Sequence, residues 1–459
     1  MIQRFLYFLE EVSDKIKEEI DKGSRILVLS SNNPDALASS ILLIKFFYKN
    51  DIEAHFRFVN VIDSNLFDLL FGDGEKTYDQ DIIFFLDFGS RILGKIAENL
   101  KNTKKRFFIF DHHDLTSKVL KSENLYQINP NIFGLNGKKD ASTSTIIYYL
   151  LKNLGYIFKG EEILCLAGSI SEKQNIKELS GLNKELLNDL INNDLIEVKK
   201  GIKLAGIKNK PLYKALSSSV EIYIPTISGS DEKAIEFLKK IFPDKKPEKI
   251  VYTDLNQEEE KKLINEIIKI RVLSNIMLNE EILGDLYILK NERDIGDLEE
   301  LSLILKSAIS SLEYSTIIKY FIEKSNFDNL RELEISFRSK ISKIISDILK
   351  NNIKFEDNDG IILIELKDKA ILSPYISEIL SFNNILDKKA YIVYEEFKDY
   401  YRISISRNKR NEEIPNLIKG LMDKIEIFYG TESHNTFYVK KNYFNDFIST
   451  FVSILNKFS

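Results

Sequence analysis

A single cysteine, Cys165, in 459 residues permits no intrachain disulfide and no cysteine zinc cluster, and so points to a reducing, cytoplasmic setting. Eight prolines and 19 glycines fall well short of disordered or collagen-like levels, which excludes long disorder. Nowhere do about eighteen apolar residues run together, the length a membrane helix requires, so no membrane-embedded protein is expected. Residues 5–20 are amphipathic and charged from the start, without the apolar block of a signal peptide, and no export is expected. An excess of positive charge is also missing. Lys+Arg 65 against Asp+Glu 70 gives a net charge of -5, which removes the global attraction of a duplex-coating protein, so any nucleic-acid contact must be local. Tryptophan is absent, and nothing about mechanism follows from that.

What is present suggests roughly three domains by length. Short apolar runs at 26–30, 55–59, 82–86 and 106–110 alternate with helix-like segments at 36–48 and 63–71. Strands of nearly continuous apolar residues, alternating with helices, predict a doubly wound parallel sheet. Helical patterns follow near 141–154 and 161–170. Residues 199–214 carry six lysines and no acid, and read as a linker. Helices dominate from 231 to 351. Strand-like segments at 360–366, 390–394 and 401–406, with a last helix at 442–455, predict a closing α/β domain.

Polar residues at the ends of parallel strands draw attention, because open sheets of this kind bind ligands outside the carboxyl edge of their strands. Asp35, Asp87, Asp111, His112, His113 and Glu172 all fall at or just past the end of a predicted element. Together they are hard oxygen and imidazole donors, suited to Mn or Mg ions that activate water for phosphodiester cleavage. Taken singly, an Asp after a strand is more often a helix cap or turn former. Asp-His-His is different, since the whole chain has only four histidines. Ser31 and Ser39 have no histidine-carboxylate relay beside them and are not nucleophiles.

Four segments resemble the motifs of the DHH phosphoesterases, and within them the archaeal RecJ-like proteins. They are Ser31-Asn32-Asn33-Pro34-Asp35-Ala36, Leu86-Asp87-Phe88-Gly89, Phe110-Asp111-His112-His113 and Gly168-Ser169-Ile170-Ser171-Glu172-Lys173-Gln174. Residues 216–225 and 293–302 resemble later blocks of the same chains. Gly430-Thr431-Glu432-Ser433-His434-Asn435 resembles the glycine-and-histidine signature of the associated DHHA1 domain. The resemblance implies a DHH domain over residues 1–200, a mainly helical interaction region over 201–350 and a DHHA1-like α/β domain over 351–459.

Departures from the family pattern are informative. Ser31 stands where the family has His, Asn33 where it has Asp, and Glu172 where it has Asp; only Gly430 remains of the glycine run before His434. Two-metal displacement needs both ions about 3.5–4 Å apart, and losing an imidazole and a carboxylate from one loop strips one ion of its shell. The expected set Asp35, Asp87, Asp111, His112 and Glu172 is therefore vestigial and no catalytic residue is expected; only in an active site would His113 have a role, that of positioning. No cofactor is required, and at most one weakly held Mn or Mg ion is expected.

Within the family this pattern is similar to the helicase-associated branch that includes eukaryotic cell division control protein 45. That implies a catalytically degenerate scaffold of an archaeal replicative helicase, binding GINS and supporting the MCM ring in DNA replication. The alternative is a manganese-dependent, single-strand-specific 5′–3′ exonuclease using the reduced site. Candidates for single-stranded DNA contact are Lys199, Lys200, Lys203, Lys208, Lys210, Gly430 and His434, although lysine-rich segments without interleaved aromatics usually form a solvated surface.

Overall fold

The computed structural model describes the chain apart from residues 73–76, 116–121, 275, 277–281, 369, 408–417, 419–420, 422–424, 434 and 458–459. Two compact units divide it. The first comprises Met1–Lys199, Gly284–Ile309 and Glu313–Phe327; the second comprises Lys200–Leu283, Ser310–Leu312 and Asp328–Ser459.

Helix α1 (Ile2–Asp21) opens the first unit and buries Phe5, Leu9, Val12 and Ile16 along one stripe, the spacing of a helix with a single apolar face. Strand β1 (Ile26–Ser31), helix α2 (Pro34–Lys49), strand β2 (Ala54–Val59), helix α3 (Ser64–Phe71), strand β3 (Ile82–Leu86), helix α4 (Leu93–Asn99), and strands β4 (Arg106–Phe110) and β5 (Leu125–Ile128) follow. The strands form a five-stranded sheet in the order β2-β1-β3-β4-β5, parallel throughout. Strands β1 and β3 are buried at every position, while β2, at an edge, alternates. Helices α5 (Thr143–Asn153), α6 (Ile163–Ser171) and α7 (Gly181–Asn192) come next, and α5 and α6 pack on α2.

Register decides where the functional residues fall. Ser30 lies opposite Leu86, Leu86 opposite Phe110, and Phe110 opposite Ile128. The next residues, Ser31, Asp87, Asp111 and Asn129, therefore share one row at the carboxyl edge. Strand order reverses between β1 and β3, and the crevice at such a switch point is where sheets of this class place ligands.

Strand β6 (Ile196–Ile202) carries the chain into the second unit, where α8 (Leu212–Ser217), α9 (Asp231–Ile241) and α10 (Gln257–Leu273) follow. Through β7 (Leu283–Leu289), α11 (Leu298–Ser311) and α12 (Tyr314–Glu323) it returns largely to the first unit. Helix α13 (Asp328–Leu349) begins the long final segment. The middle of the chain is rich in helix, as the sequence suggested, but it is shared between the units instead of forming one region over 201–350. Nor is 199–214 a linker: it starts in β6, ends in α8, and buries Leu204, Ile207 and Leu212.

The closing α/β portion contains β8 (Phe355–Asn358), β9 (Ile361–Leu366), α14 (Ser373–Phe382), β10 (Ala390–Phe397), β11 (Tyr400–Arg407), β12 (Ile427–Gly430), β13 (Thr436–Lys440) and α15 (Phe444–Lys457). Its strands run β12-β13-β11-β10-β9-β8, with only β9 and β10 parallel. Phe447 and Phe451 of α15 pack with Ile392, Ile403, Ile405 and Phe437 in one core. Polar Ser404 and Ser406 instead meet Ser373 and Ser377 of α14.

Candidate functional site

The loop after β1 makes two turns of chemistry in three residues. Ser31 donates through Oγ to the Asp87 carbonyl at 3.1 Å. Asn33 caps α2, its Oδ1 accepting from the Ala36 N–H at 2.9 Å, with Pro34 at the first helical position, a favoured helix start. Its amide nitrogen donates to Asp87 Oδ2. One side chain thus fixes both the helix entry and the neighbouring strand end.

Asp35, in the first turn of α2, has its carboxylate at the N-terminus of α5. The Thr143 N–H reaches Oδ2 at 2.7 Å, the Ser144 N–H reaches Oδ1 at 3.1 Å, and the Ser144 hydroxyl also donates to Oδ1. A helix N-terminus favours negative charge there. Closeness of α6 makes this possible: a Cβ on Gly168 would come 2.5 Å from Asp35 Oδ1 and 2.4 Å from Ser144 Oγ.

Asp87 adopts a left-handed backbone, φ 65°, a region in which Asp is enriched among non-glycine residues. Its Oδ1 accepts from Thr143 Oγ1 at 2.8 Å and faces His112 Nε2 at 3.1 Å. Asp111 accepts from the Ser90 N–H at 2.9 Å, the His113 N–H at 3.1 Å and the His113 ring through Nδ1. His112 Nδ1 lies 2.8 Å from the Gly137 carbonyl, and Gln174 donates to that carbonyl at 3.0 Å. A Cβ at Gly137 would collide with the His112 carbonyl at 1.8 Å, so only glycine lets this loop approach the Asp-His-His segment.

The whole cluster is buried: Asp35 is 0% exposed, Asp87 and Asp111 1%, His112 2% and His113 7%. Burial, reinforced by the Asp87 charge, pushes the Asp35 carboxyl up to about 6. Burial also acts to raise Asp87 and Asp111, but the two imidazoles outweigh it and hold both below the ordinary carboxylate range. For His112 burial opposes protonation, yet Asp87, Asp35 and Glu172 together push the ring up to about 10.

Ligand atoms of Asp87, His112 and His113 lie within 4.8 Å of one another, the group among the described residues with metal-ligand spacing. His113 joins that group, whereas Asp35 is turned to the α5 N-terminus. Glu172 sits half-buried at the C-terminal cap of α6 and reaches the cluster through its charge on His112. The amide of Asn33 and the hydroxyl of Thr143 both donate to the Asp87 carboxylate, so a cation held by Asp87 would compete with donors of the chain itself. Thr143, Ser144, Gly137 and Gln174 are site residues to which the sequence reading gave no role. Backbone donors carry no side-chain pattern, although a Ser/Thr cluster opening a helix after the Asp-His-His segment was a usable signal.

In the second unit, a Cβ at Gly430 would meet Glu432 Oε2 at 2.7 Å and Thr436 Cγ2 at 2.8 Å. That glycine makes room for the chain's own packing. The Thr431 N–H and Tyr438 hydroxyl donate to Glu432, and Arg402 lies 3.7 Å from it. His434 lies outside the described residues. Of the lysines, Lys210 holds Glu334 at 2.8 Å and Lys199 lies 3.4 Å from Glu197. Lys200, Lys203 and Lys208 also have interaction partners.

A parallel sheet that gathers an aspartate and Asp-His-His at its switch point defines a DHH-type α/β domain. Residues 25–179 match the DHH family N-terminal domain and residues 204–282 a DHH-CID domain, which supports a RecJ-like DHH relationship for the chain. A Methanocaldococcus jannaschii relative, the uncharacterized protein MJ0831, is 27% identical over 273 residues, covering 59% of this chain and 60% of that protein. The match thus spans less than two thirds of the relative's length. In fold, the chain is similar to CDC45 from Entamoeba histolytica, at 13% identity, a TM-score of 0.66 and coverage of 98% of both chains. It is also similar to RecJ in complex with Mn²⁺ from Thermus thermophilus, at 12% identity and a TM-score of 0.53, covering 98% of this chain and 55% of that one. No helix among the described residues is long and apolar enough to cross a membrane.

Proposed function

We propose that this RecJ-like DHH protein is a catalytically degenerate scaffold of the replicative helicase, binding GINS and supporting the MCM ring. The observation that carries the loss of catalysis is the Asn33 amide donating to Asp87 Oδ2. It presents protons to a carboxylate that a two-metal site would leave facing its ions. Burial of Asp87, Asp111 and both histidines supports the same reading, because in-line attack on a phosphodiester requires the substrate to reach them. Such a scaffold needs no cofactor and holds at most one Mn or Mg ion weakly, through Asp87, His112 and His113. The likeness in fold to CDC45 supports the replication role, and the partners follow from the family resemblance.

Two measurements test this. Purified protein incubated with end-labelled single-stranded DNA and Mn²⁺ leaves the strand intact, and the protein co-elutes with GINS on size exclusion at micromolar concentrations. Digestion abolished by Asp111→Ala would establish the exonuclease instead. Separate elution of the two components would remove the scaffold role.

A further inference from the structure

We propose that the chain has exchanged the cations of its DHH site for its own hydrogen-bond donors, with Asn33 as the residue on which the exchange turns; this rests on the degenerate reading above. Asp35 and Asp111 each accept three hydrogen bonds from the chain itself, and Asp87 accepts two and has an imidazole beside it. Asp35 takes the Thr143 N–H, the Ser144 N–H and the Ser144 hydroxyl. Asp111 takes the Ser90 N–H, the His113 N–H and the His113 ring. Asp87 takes the Asn33 amide and the Thr143 hydroxyl and faces the His112 ring at 3.1 Å. A carboxylate has about four lone-pair positions, so little acceptor capacity remains for an ion at any of the three.

Asn33 is the hinge because its orientation is fixed. Oδ1 is held by the Ala36 N–H at 2.9 Å, which leaves only the amide nitrogen to face Asp87. An aspartate at this position could keep the cap, but its second oxygen would oppose Asp87 Oδ2 in a site that is almost fully buried. Two carboxylates in such contact need a cation or a proton between them. A single substitution should therefore convert a fold indifferent to metal into one that depends on it.

Thermal melting of the full chain in EDTA and in excess Mn²⁺, near pH 8, tests the exchange. The wild-type Tm is expected to be the same in both. Asn33→Asp should melt about 5–10 °C lower in EDTA, a shift of the size expected for an uncompensated buried charge, and recover most of that in Mn²⁺. Asn33→Ala, which loses the amide and adds no charge, should melt lower in both and be unmoved by Mn²⁺. The proposal is overturned if the wild-type Tm rises in Mn²⁺ as much as that of Asn33→Asp, if Asn33→Asp melts like wild type in EDTA, or if Mn²⁺ fails to rescue it while Asn33→Ala folds. A protein that shows the expected shifts but does not bind GINS loses the scaffold role and keeps the exchange. One that binds GINS with a Mn²⁺-dependent wild-type Tm does the reverse.

Discussion

Asp35, Asp87 and Asp111 in the first unit lie among backbone N–H groups, hydroxyls, one amide and two imidazoles, whereas Glu395, Glu432 and Glu334 in the second lie against arginine and lysine. Arg402 donates through Nε to Glu395 Oε2 at 2.9 Å, while Glu395 Oε1 accepts the Leu372 and Ser373 N–H groups at the start of α14. Glu334 is held by Lys210 at 2.8 Å and by Arg338. Among the described residues, no lysine or arginine partners the three aspartates. A guanidinium is always charged and occupies space permanently, so a carboxylate paired with one is architecture. The three aspartates at the sheet's switch point are instead met by backbone N–H groups, hydroxyls, an amide and imidazoles, donors that a change of sequence or of protonation can withdraw.

The contrast can be broken at its strong end first. Arg402→Ala strands Glu395 and Glu432 in the interior, and breaking a buried pair in this way costs about 3–5 kcal/mol. Denaturant unfolding should show that loss, and a change below about 1 kcal/mol would mean the pair is dispensable. Thr143→Val, at the other site, removes one hydroxyl donor from Asp87 while keeping volume. Equilibrium unfolding should register about 1.5–3 kcal/mol, the range for a hydrogen bond to a charged group, and Thr143→Ser should recover most of it.

Acid sharpens the comparison further. Burial works against ionised Glu334, but Arg338 and Lys210 outweigh it and hold the carboxyl below its usual value of 4.5. The stability this pairing supplies is fully present above about pH 4.5 and is lost as pH falls through the lowered value. Unfolding midpoints collected between pH 7 and pH 3 should decline at the acid end, and Glu334→Gln should flatten that decline.

Much of the first unit was legible because its strands are short, apolar and buried on both faces. The expected segments 82–86 and 106–110 coincide with Ile82–Leu86 and Arg106–Phe110. Strand β5, Leu-Tyr-Gln-Ile, escaped because a polar residue interrupts its four positions. The Asp-His-His edge was readable, since polar side chains just past apolar runs mark the ends of parallel strands. Opaque were the partners that hold Asp35, because two of its three donors are backbone groups, and the tight packing at Gly137 and Gly168, which depends on contacts far apart in sequence. The same locality hid the return of residues 284–309 and 313–327 to the first unit. Tyr314 of α12 illustrates the point: it hydrogen-bonds Asn32 at 2.6 Å and stacks on Phe58 at 4.1 Å, across an interval no periodicity spans.

That discontinuity has a bearing on biosynthesis. The sheet and its aspartates emerge from the ribosome well before residues 313–327, which complete the first unit. At ordinary elongation speeds of about 5–20 residues per second, the nascent chain waits on the order of 10 s with Phe58 and Asn32 uncovered. Throughout that interval the unfinished half is exposed to chaperones and proteases, and translation speed across the intervening stretch becomes a determinant of yield.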